Sequence, residues 1–283
     1  MSAVAGGLDF RGGHGDETGV FKLALAQLRV DGGAPDRNLA RAEERIAAAA
    51  AAGARVVLLP ETLNLGWCHP AARDWEDAVP GGPTCRRLAA AARRHGGYVC
   101  AGLVESAGPR RHNAAVLLDP SGEVLLHHRK VHELPLAHDL YAPGDRLAVA
   151  RTPLGVLGVM ICADAFAPGQ TVSRALALLG AELILSPCAW AMPADHDQAR
   201  QPYGWRWLES YCPVAREHGL WIAGCSSVGP IEAGPWAGRR CIGSSLVVDP
   251  RGEPVLQGPY GVDAEALLLV DVTPRARPRP GSE

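Results

Sequence analysis

Three reactive side chains follow apolar segments that are typical of buried strands. Glu61 ends the segment RVVLLPE, Lys130 ends VLLHHRK and Cys162 ends GVMIC. Each has an ordinary explanation, as a solvated loop residue, a surface charge and a core thiol. A thiol displayed at a strand end can also act as a nucleophile, and a carboxylate, an amine and a thiol at three strand ends favour a catalytic site.

Strand-like and helix-like segments alternate along the chain and must position these groups. Functional residues of open α/β sheets gather beyond the carboxyl ends of the strands. Two hairpins share a D-P-x-G turn, at 119–122 and 249–252. This recurrence predicts one α/β domain with internal pseudo-symmetry and helices on the outer sheet faces. The predicted helices are 34–54, 84–97, 170–180 and 203–218, and further strands include VFKLALAQL, YVCAGLVE, AELILSP and LWIAGCSSV.

Composition excludes several classes of protein. The 283 residues are 47% hydrophobic and carry a formal net charge of −2, which disfavours nucleic acid or an anionic membrane as partner. The sequence contains no apolar run of 18 residues, so it predicts no membrane span. The eight cysteines form no CxxC pair and residues 1–19 hold no apolar signal core, so we expect a cytoplasmic protein with free thiols. We expect a flexible segment at 1–19, one domain at 20–272 and a Pro-rich tail at 273–283.

The segments LLPETLNLGW, HHRKVHELP and GVMICADAF resemble the three signature segments of the nitrilase, or carbon–nitrogen hydrolase, superfamily. The segments HNAAVLLDPSGEVL, LGAELILSPCAWA and CIGSSLVVDPRGEPV extend the resemblance over residues 20–272. The resemblance implies a four-layer α-β-β-α sandwich and hydrolysis of a non-peptide C–N bond in a small molecule. It also implies at least a homodimer, and no metal or organic cofactor.

The resemblance also implies a role for each reactive residue. Cys162 attacks the substrate carbon and forms a thioester, and Glu61 is the general base. Lys130 and the backbone N–H of Ala163 stabilise the oxyanion. A Cys–His amidotransferase or protease is less favoured because no His stands at a comparable strand end. A catalytically silent binding protein of the same fold is the remaining alternative.

A second carboxylate usually follows the lysine in this superfamily. We assign that role to Asp139, with Glu133 as the competitor, although Asp139 could equally cap the turn before Pro143 and Gly144. His138 is expected beside Asp139 in the pocket. Trp190 is the favoured aromatic pocket residue, with core packing nearly as plausible, and Trp67 is a further candidate.

Four histidines, His127, His128, His132 and His138, surround Lys130 without the fixed spacing of a zinc site. Adjacent His127 and His128 would point to opposite faces of a strand, so we predict no metal site. The nitrile-cleaving branch usually carries Trp-Glu after the cysteine. The small Ala163 follows Cys162 here, which favours amide or N-carbamoyl substrates over nitriles.

Overall fold

The protein is described by a computed structural model that covers residues 19–275. The expected flexible segment 1–19 and Pro-rich tail 273–283 fall almost wholly outside this range and stay predictions. The strands are β1 (Phe21–Gln27), β2 (Ala54–Leu58), β3 (Tyr98–Ala107), β4 (Arg110–Leu118), β5 (Val124–Arg129), β6 (Val149–Thr152), β7 (Gly155–Val159), β8 (Leu183–Cys188), β9 (Ala191–Met192), β10 (Trp221–Ser226), β11 (Val228–Pro230), β12 (Arg240–Ile242), β13 (Leu246–Val248), β14 (Pro254–Gln257) and β15 (Ala266–Val272). The α-helices are α1 (Pro35–Ala51), α2 (Pro83–His95), α3 (Thr171–Leu178) and α4 (Trp205–His218).

Two six-stranded sheets follow the same plan, which confirms the expected pseudo-symmetry. The first has the order β15-β1-β2-β3-β4-β5, and the second has the order β14-β13-β10-β8-β7-β6. Each sheet has three parallel central strands, one antiparallel strand on one side and an antiparallel pair on the other. A small third sheet joins β11, β12 and β9.

The two D-P-x-G hairpins have the same turn chemistry. Asp119 Oδ1 accepts hydrogen bonds from the backbone N–H groups of Ser121 and Glu123, at 2.8 and 2.9 Å. Asp249 Oδ1 accepts the equivalent pair at 2.9 and 3.0 Å. The glycines that end the two turns, Gly122 and Gly252, have positive φ angles of 81° and 78°. Such angles cost little conformational energy in a residue without a Cβ. The repeated sequence therefore folds into the same local structure in both halves.

Three apolar clusters separate four layers, as an α-β-β-α sandwich requires. Side chains from α1 and α2 pack on one face of the first sheet. The other face packs against the second sheet, with Leu25 and Leu58 meeting Leu157 and Leu185. The far face of the second sheet packs against α3 and α4. The central strands are largely apolar because most of their residues are buried on both faces of the sheet.

The predicted helices are confirmed to within a few residues at their ends. Strands β6, β9, β11, β12 and β15 were not predicted. The long strand β15 pairs antiparallel with β1 along its whole length, from Phe21 against Val272 to Gln27 against Ala266. None of the helices between residues 19 and 275 is long and apolar enough to cross a membrane.

Candidate active site

Glu61, Lys130 and Cys162 line one cavity of about 850 Å³ at the carboxyl ends of the strands. Glu61 lies three residues after β2, Lys130 directly follows β5, and Cys162 lies three residues after β7. Strands β2 and β5 belong to the first sheet and β7 to the second. The cavity therefore lies where the same edge of the two packed sheets brings a carboxylate, an ammonium group and a thiol together.

The backbone of Glu61 makes close contacts with both sheets. Its backbone N–H donates to the Cys188 carbonyl at the end of β8, at 3.2 Å. A Cβ on Gly102 of β3 would lie 2.5 Å from the Glu61 Cα, so only glycine permits this approach. Within residues 19–275 the buried Oε2 of Glu61 has no hydrogen-bond partner. One carboxylate oxygen is thus left to exchange a proton.

Lys130 lies between two buried carboxylates. Its Nζ is 2.8 Å from Glu61 Oε1 and 3.1 Å from Glu133 Oε1. Glu61, Lys130 and Glu133 are only 1%, 2% and 4% exposed. Burial lowers the pKa of Lys130, but the charges of Glu133 and Glu61 outweigh burial and hold that pKa well above its usual value. Lys130 is therefore a permanent cation in the cavity.

Asn113 cross-links the same two carboxylates. Its Nδ2 donates to Glu61 Oε1 at 2.7 Å and to Glu133 Oε2 at 3.0 Å. The Asn113 carbonyl also accepts from the backbone N–H of Lys130 at 2.8 Å. Sequence reasoning missed this residue. The only local signal was a polar residue directly before the apolar half of β4, Ala114–Leu118.

Cys162 begins a short 3-10 helix, Cys162–Phe166, in a strained conformation. Its φ of 43° is unfavourable for a residue with a Cβ, and its N–H donates to Ser186 Oγ at 3.2 Å. Burial, a hydrogen bond with Cys188 and the charge of Glu61 raise the pKa of the Cys162 thiol well above its usual value, against the opposing effect of Lys130. The resting thiol is protonated, so a nucleophilic role requires a base. Ala163 also lines the cavity, and its N–H has no acceptor among residues 19–275.

Asp164 ties the cysteine turn to the lysine loop. Its fully buried carboxylate accepts from the backbone N–H of Ile161 at 2.9 Å, and from those of Val131 and His132 at 3.0 and 2.7 Å. His128 Nε2 lies 2.8 Å from its Oδ2. Burial raises the pKa of Asp164, but the hydrogen bond and charge of His128 outweigh burial and leave it lowered. Asp164 therefore stays ionised and joins both loops.

The structure places Glu133, and not the preferred candidate Asp139, beside Lys130. Asp139 is exposed, whereas Glu133 is buried against Lys130. The short 3-10 helix Pro135–Ala137 turns the chain outward after Glu133. His138 is exposed as well, and its Nε2 lies 3.3 Å from the Glu133 carbonyl oxygen. Contrary to the prediction, His138 does not line the cavity.

Both predicted tryptophans line the cavity. Trp190 is 2% exposed and stacks on Trp207 of α4, with ring centroids 4.2 Å apart, so it serves the core and the cavity together. The ring centroid of Trp67 lies 4.4 Å from that of Trp236. Sequence reasoning named neither Trp207 nor Trp236, because their segments carry no local sign of facing the cavity.

Two of the histidines around Lys130, His127 and His128, have separate partners. His127 Nε2 lies 2.8 Å from Glu105 Oε2, whereas His128 contacts Asp164, so the two side chains point to opposite faces of β5 as predicted. Across residues 19–275, no three His, Cys, Asp or Glu side chains are grouped so that they could hold a metal ion.

We expect Glu133→Gln to lower kcat by about a hundredfold, the scale of a misplaced catalytic group. The amide keeps the size of the side chain but removes the charge beside Lys130, and so shifts the ammonium towards Glu61. The matched control is Asp139→Asn, which should stay near wild-type activity. Steady-state kinetics and melting temperatures of both variants decide which residue is the second carboxylate. Loss of activity in Asp139→Asn alone would assign that role to Asp139.

The fold is an α-β-β-α sandwich with one cavity at the strand ends, and comparison with known proteins identifies its family. The sequence profile of the carbon–nitrogen hydrolases matches residues 22–278. The chain belongs to the carbon–nitrogen hydrolase family and is an enzyme that cleaves carbon–nitrogen bonds.

Similar proteins include amidases and a nitrilase. The chain is 32% identical over 239 residues to a nitrilase from Pyrococcus abyssi, with 83% of each chain covered. It is 29% identical to the omega-amidase NIT2 of Mus musculus, covering 89% of this chain and 88% of that one. A crystal structure of an amidase from Nesterenkonia sp. superposes with a TM-score of 0.75 at 27% identity, covering 90% and 91% of the two chains. In a variant of that amidase, acrylamide has added to the active-site cysteine.

Proposed function

We propose that the protein hydrolyses amide-type C–N bonds in small molecules, with Cys162 as nucleophile, Glu61 as base and Lys130 as the stabilising cation. The observation that carries the proposal is the Lys130 ammonium fixed between two buried carboxylates in the cavity of Cys162. The amidases among similar proteins support the choice of an amide.

In the first half-reaction, Glu61 Oε2 takes the thiol proton of Cys162 and the sulfur attacks the amide carbon. The C=O bond becomes a C–O⁻ bond, whose charge faces Lys130 Nζ and the Ala163 N–H. As the C–N bond breaks, protonated Glu61 returns its proton to the leaving nitrogen. Ammonia or an amine departs, and an acyl thioester remains on Cys162.

In the second half-reaction, water replaces the departed amine. Glu61 removes one proton from the water, and the oxygen attacks the thioester carbon through a second oxyanion at the same two donors. The C–S bond breaks, the Cys162 sulfur regains the proton from Glu61, and the carboxylic acid leaves. Each half-reaction uses Glu61 once as base and once as acid, so no external proton carrier is needed.

Nitrile hydrolysis is the second candidate, favoured by the identity with the Pyrococcus abyssi nitrilase. The small side chain of Ala163 leaves open the space beside its N–H, which suits a planar amide or carbamoyl group. We expect an acid amide to release ammonia faster than the corresponding nitrile at equal concentration. A panel of such matched pairs, extended with N-carbamoyl compounds, measures this preference directly.

The panel separates the alternatives. Faster ammonia release from nitriles across several pairs would replace the amide proposal with a nitrilase. An absence of hydrolysis throughout, with a folded protein, would favour the catalytically silent binding protein.

We also infer that the protein is a cytoplasmic homodimer. All eight cysteines are free, which fits a reducing compartment. Large apolar side chains are exposed on neighbouring helices: Leu178 and Leu179 at the end of α3, and Trp205 and Leu208 on α4, at 61%, 46%, 61% and 37%. Helices α3 and α4 contact each other and lie near the cysteine segment, so these side chains offer one face to a second copy.

A further inference from the structure

The walls of the cavity carry more positive than negative charge. Lys130 is offset by Glu61, but two arginines also line the cavity: Arg206 in the first turn of α4, and Arg239 directly before β12. Within residues 19–275, neither guanidinium forms an ion pair with a carboxylate. Two cations thus face the substrate space without an anionic partner from the described chain.

Aromatic rings hold both guanidinium groups instead. Arg239 lies over the ring of Trp236, 4.6 Å from its centroid. Arg206 lies over Phe166, which ends the 3-10 helix begun by Cys162, at 5.3 Å. A ring face orients the planar guanidinium but leaves its N–H groups free to donate. Such a fork matches the two oxygens of a carboxylate.

Most of the remaining lining of the cavity is aromatic or aliphatic, with His196 and Gln201 as polar members. Trp67 and Trp236 form one aromatic pair, while Trp190 and Trp207 form another. The volume of about 850 Å³ far exceeds the space that an amide of a few carbon atoms fills. These surfaces suit a flat apolar body between the reacting amide and a distant charged group.

We propose that this cavity selects amides whose acyl group combines a flat apolar body with a carboxylate, and that Arg239 binds this carboxylate. Arg206 adds a second positive charge at the more exposed part of the cavity. This inference rests on the proposed amide hydrolysis and names its substrate class.

The test compares matched amides with and without the carboxylate. One pair is 4-carboxyphenylacetamide and 4-methylphenylacetamide, and an aliphatic pair is glutaramate and pentanamide. We expect kcat/KM to favour the carboxylate member of each pair by at least about tenfold, the scale of one charge-assisted hydrogen bond, with the aromatic pair turned over faster. Arg239→Gln should lower the carboxylate-to-neutral ratio by about tenfold to a hundredfold.

The matched control is Arg240→Gln, which removes the same charge one residue further along. Arg240 is exposed and does not line the cavity, so this variant should keep the wild-type ratio. Equal kcat/KM for both members, or a ratio unchanged by Arg239→Gln, would overturn the selection.

Binding to the inactive Cys162→Ala variant separates this inference from the proposed function. Calorimetry should show tighter binding of the carboxylate amide, and the double variant with Arg239→Gln should lose that difference. Selective binding without hydrolysis by the wild-type enzyme would overturn amide hydrolysis and support the selection. Hydrolysis of both members with equal binding would support amide hydrolysis and overturn the selection.

Discussion

Replacing Cys162 with alanine is expected to lower turnover by more than about a thousandfold, because a covalent nucleophile is lost. Alanine removes only the sulfur, and it meets the same backbone requirement at a φ of 43° as cysteine does. The fold should therefore survive. Ammonia release and the melting temperature of the purified variant measure the two effects separately.

The matched control is Cys212→Ala, which removes another partly exposed thiol, on α4, away from the cavity. Its activity should stay close to that of the wild type. Intact mass of wild-type enzyme quenched during turnover should show an acyl adduct that maps to Cys162. A Cys162→Ala variant that retains a tenth of the wild-type activity would exclude the nucleophile role.

Glu61→Gln is expected to produce the second large loss, of about a hundredfold to ten-thousandfold in kcat, the range for a general base. The thiol of Cys162 has a pKa well above its usual value, so it stays protonated in the cavity until a base takes the proton. Glutamine keeps the shape of the side chain but cannot accept that proton. Kinetics with an amide substrate measure the loss.

A second measurement tests the deprotonation of Cys162 by Glu61 without substrate turnover. Alkylation of Cys162 by iodoacetamide requires the thiolate, so Glu61→Gln should slow it at neutral pH while leaving alkylation of Cys212 unchanged. A variant with full activity and an unchanged melting temperature would reduce Glu61 to a structural role.

The sequence predicted where the reactive groups lie because strand ends are a local property. The segments before Glu61 and Cys162 form largely buried strands, and the segment before Lys130 forms an edge strand with both buried and exposed residues. The carboxyl ends of all three strands gather at one edge. The exact ends of the strands were predicted less precisely. The sequence placed Cys162 at the end of a strand, whereas β7 ends at Val159 and Cys162 begins a 3-10 helix.

The choice between Glu133 and Asp139 could not be made from the sequence. It depends on the path of the loop after Lys130, where Asp164 binds the N–H groups of Val131 and His132. That contact comes from the other sheet and lies more than thirty residues away in the chain (33 and 32). Spacing along the chain carries no information about such a contact.

The same limit applies to β15 and to Asn113. Strand β15 pairs with β1 across nearly the whole chain, and nothing in ALLLVDV specifies that partner. Asn113 follows three other polar residues of β4, and its two carboxylate partners become visible only when β2, β4 and the lysine loop are assembled.

The buried carboxylate of Asp164 has a consequence for local unfolding. Three backbone N–H groups, those of Ile161, Val131 and His132, share this single acceptor. Opening of the lysine loop exposes this buried anion, and opening of the cysteine turn leaves the N–H groups of Val131 and His132 without their acceptor. We therefore expect the loops that carry Lys130 and Cys162 to unfold locally as one cooperative unit, although they follow strands of different sheets. Whenever the thiol is in place, the cation is in place as well.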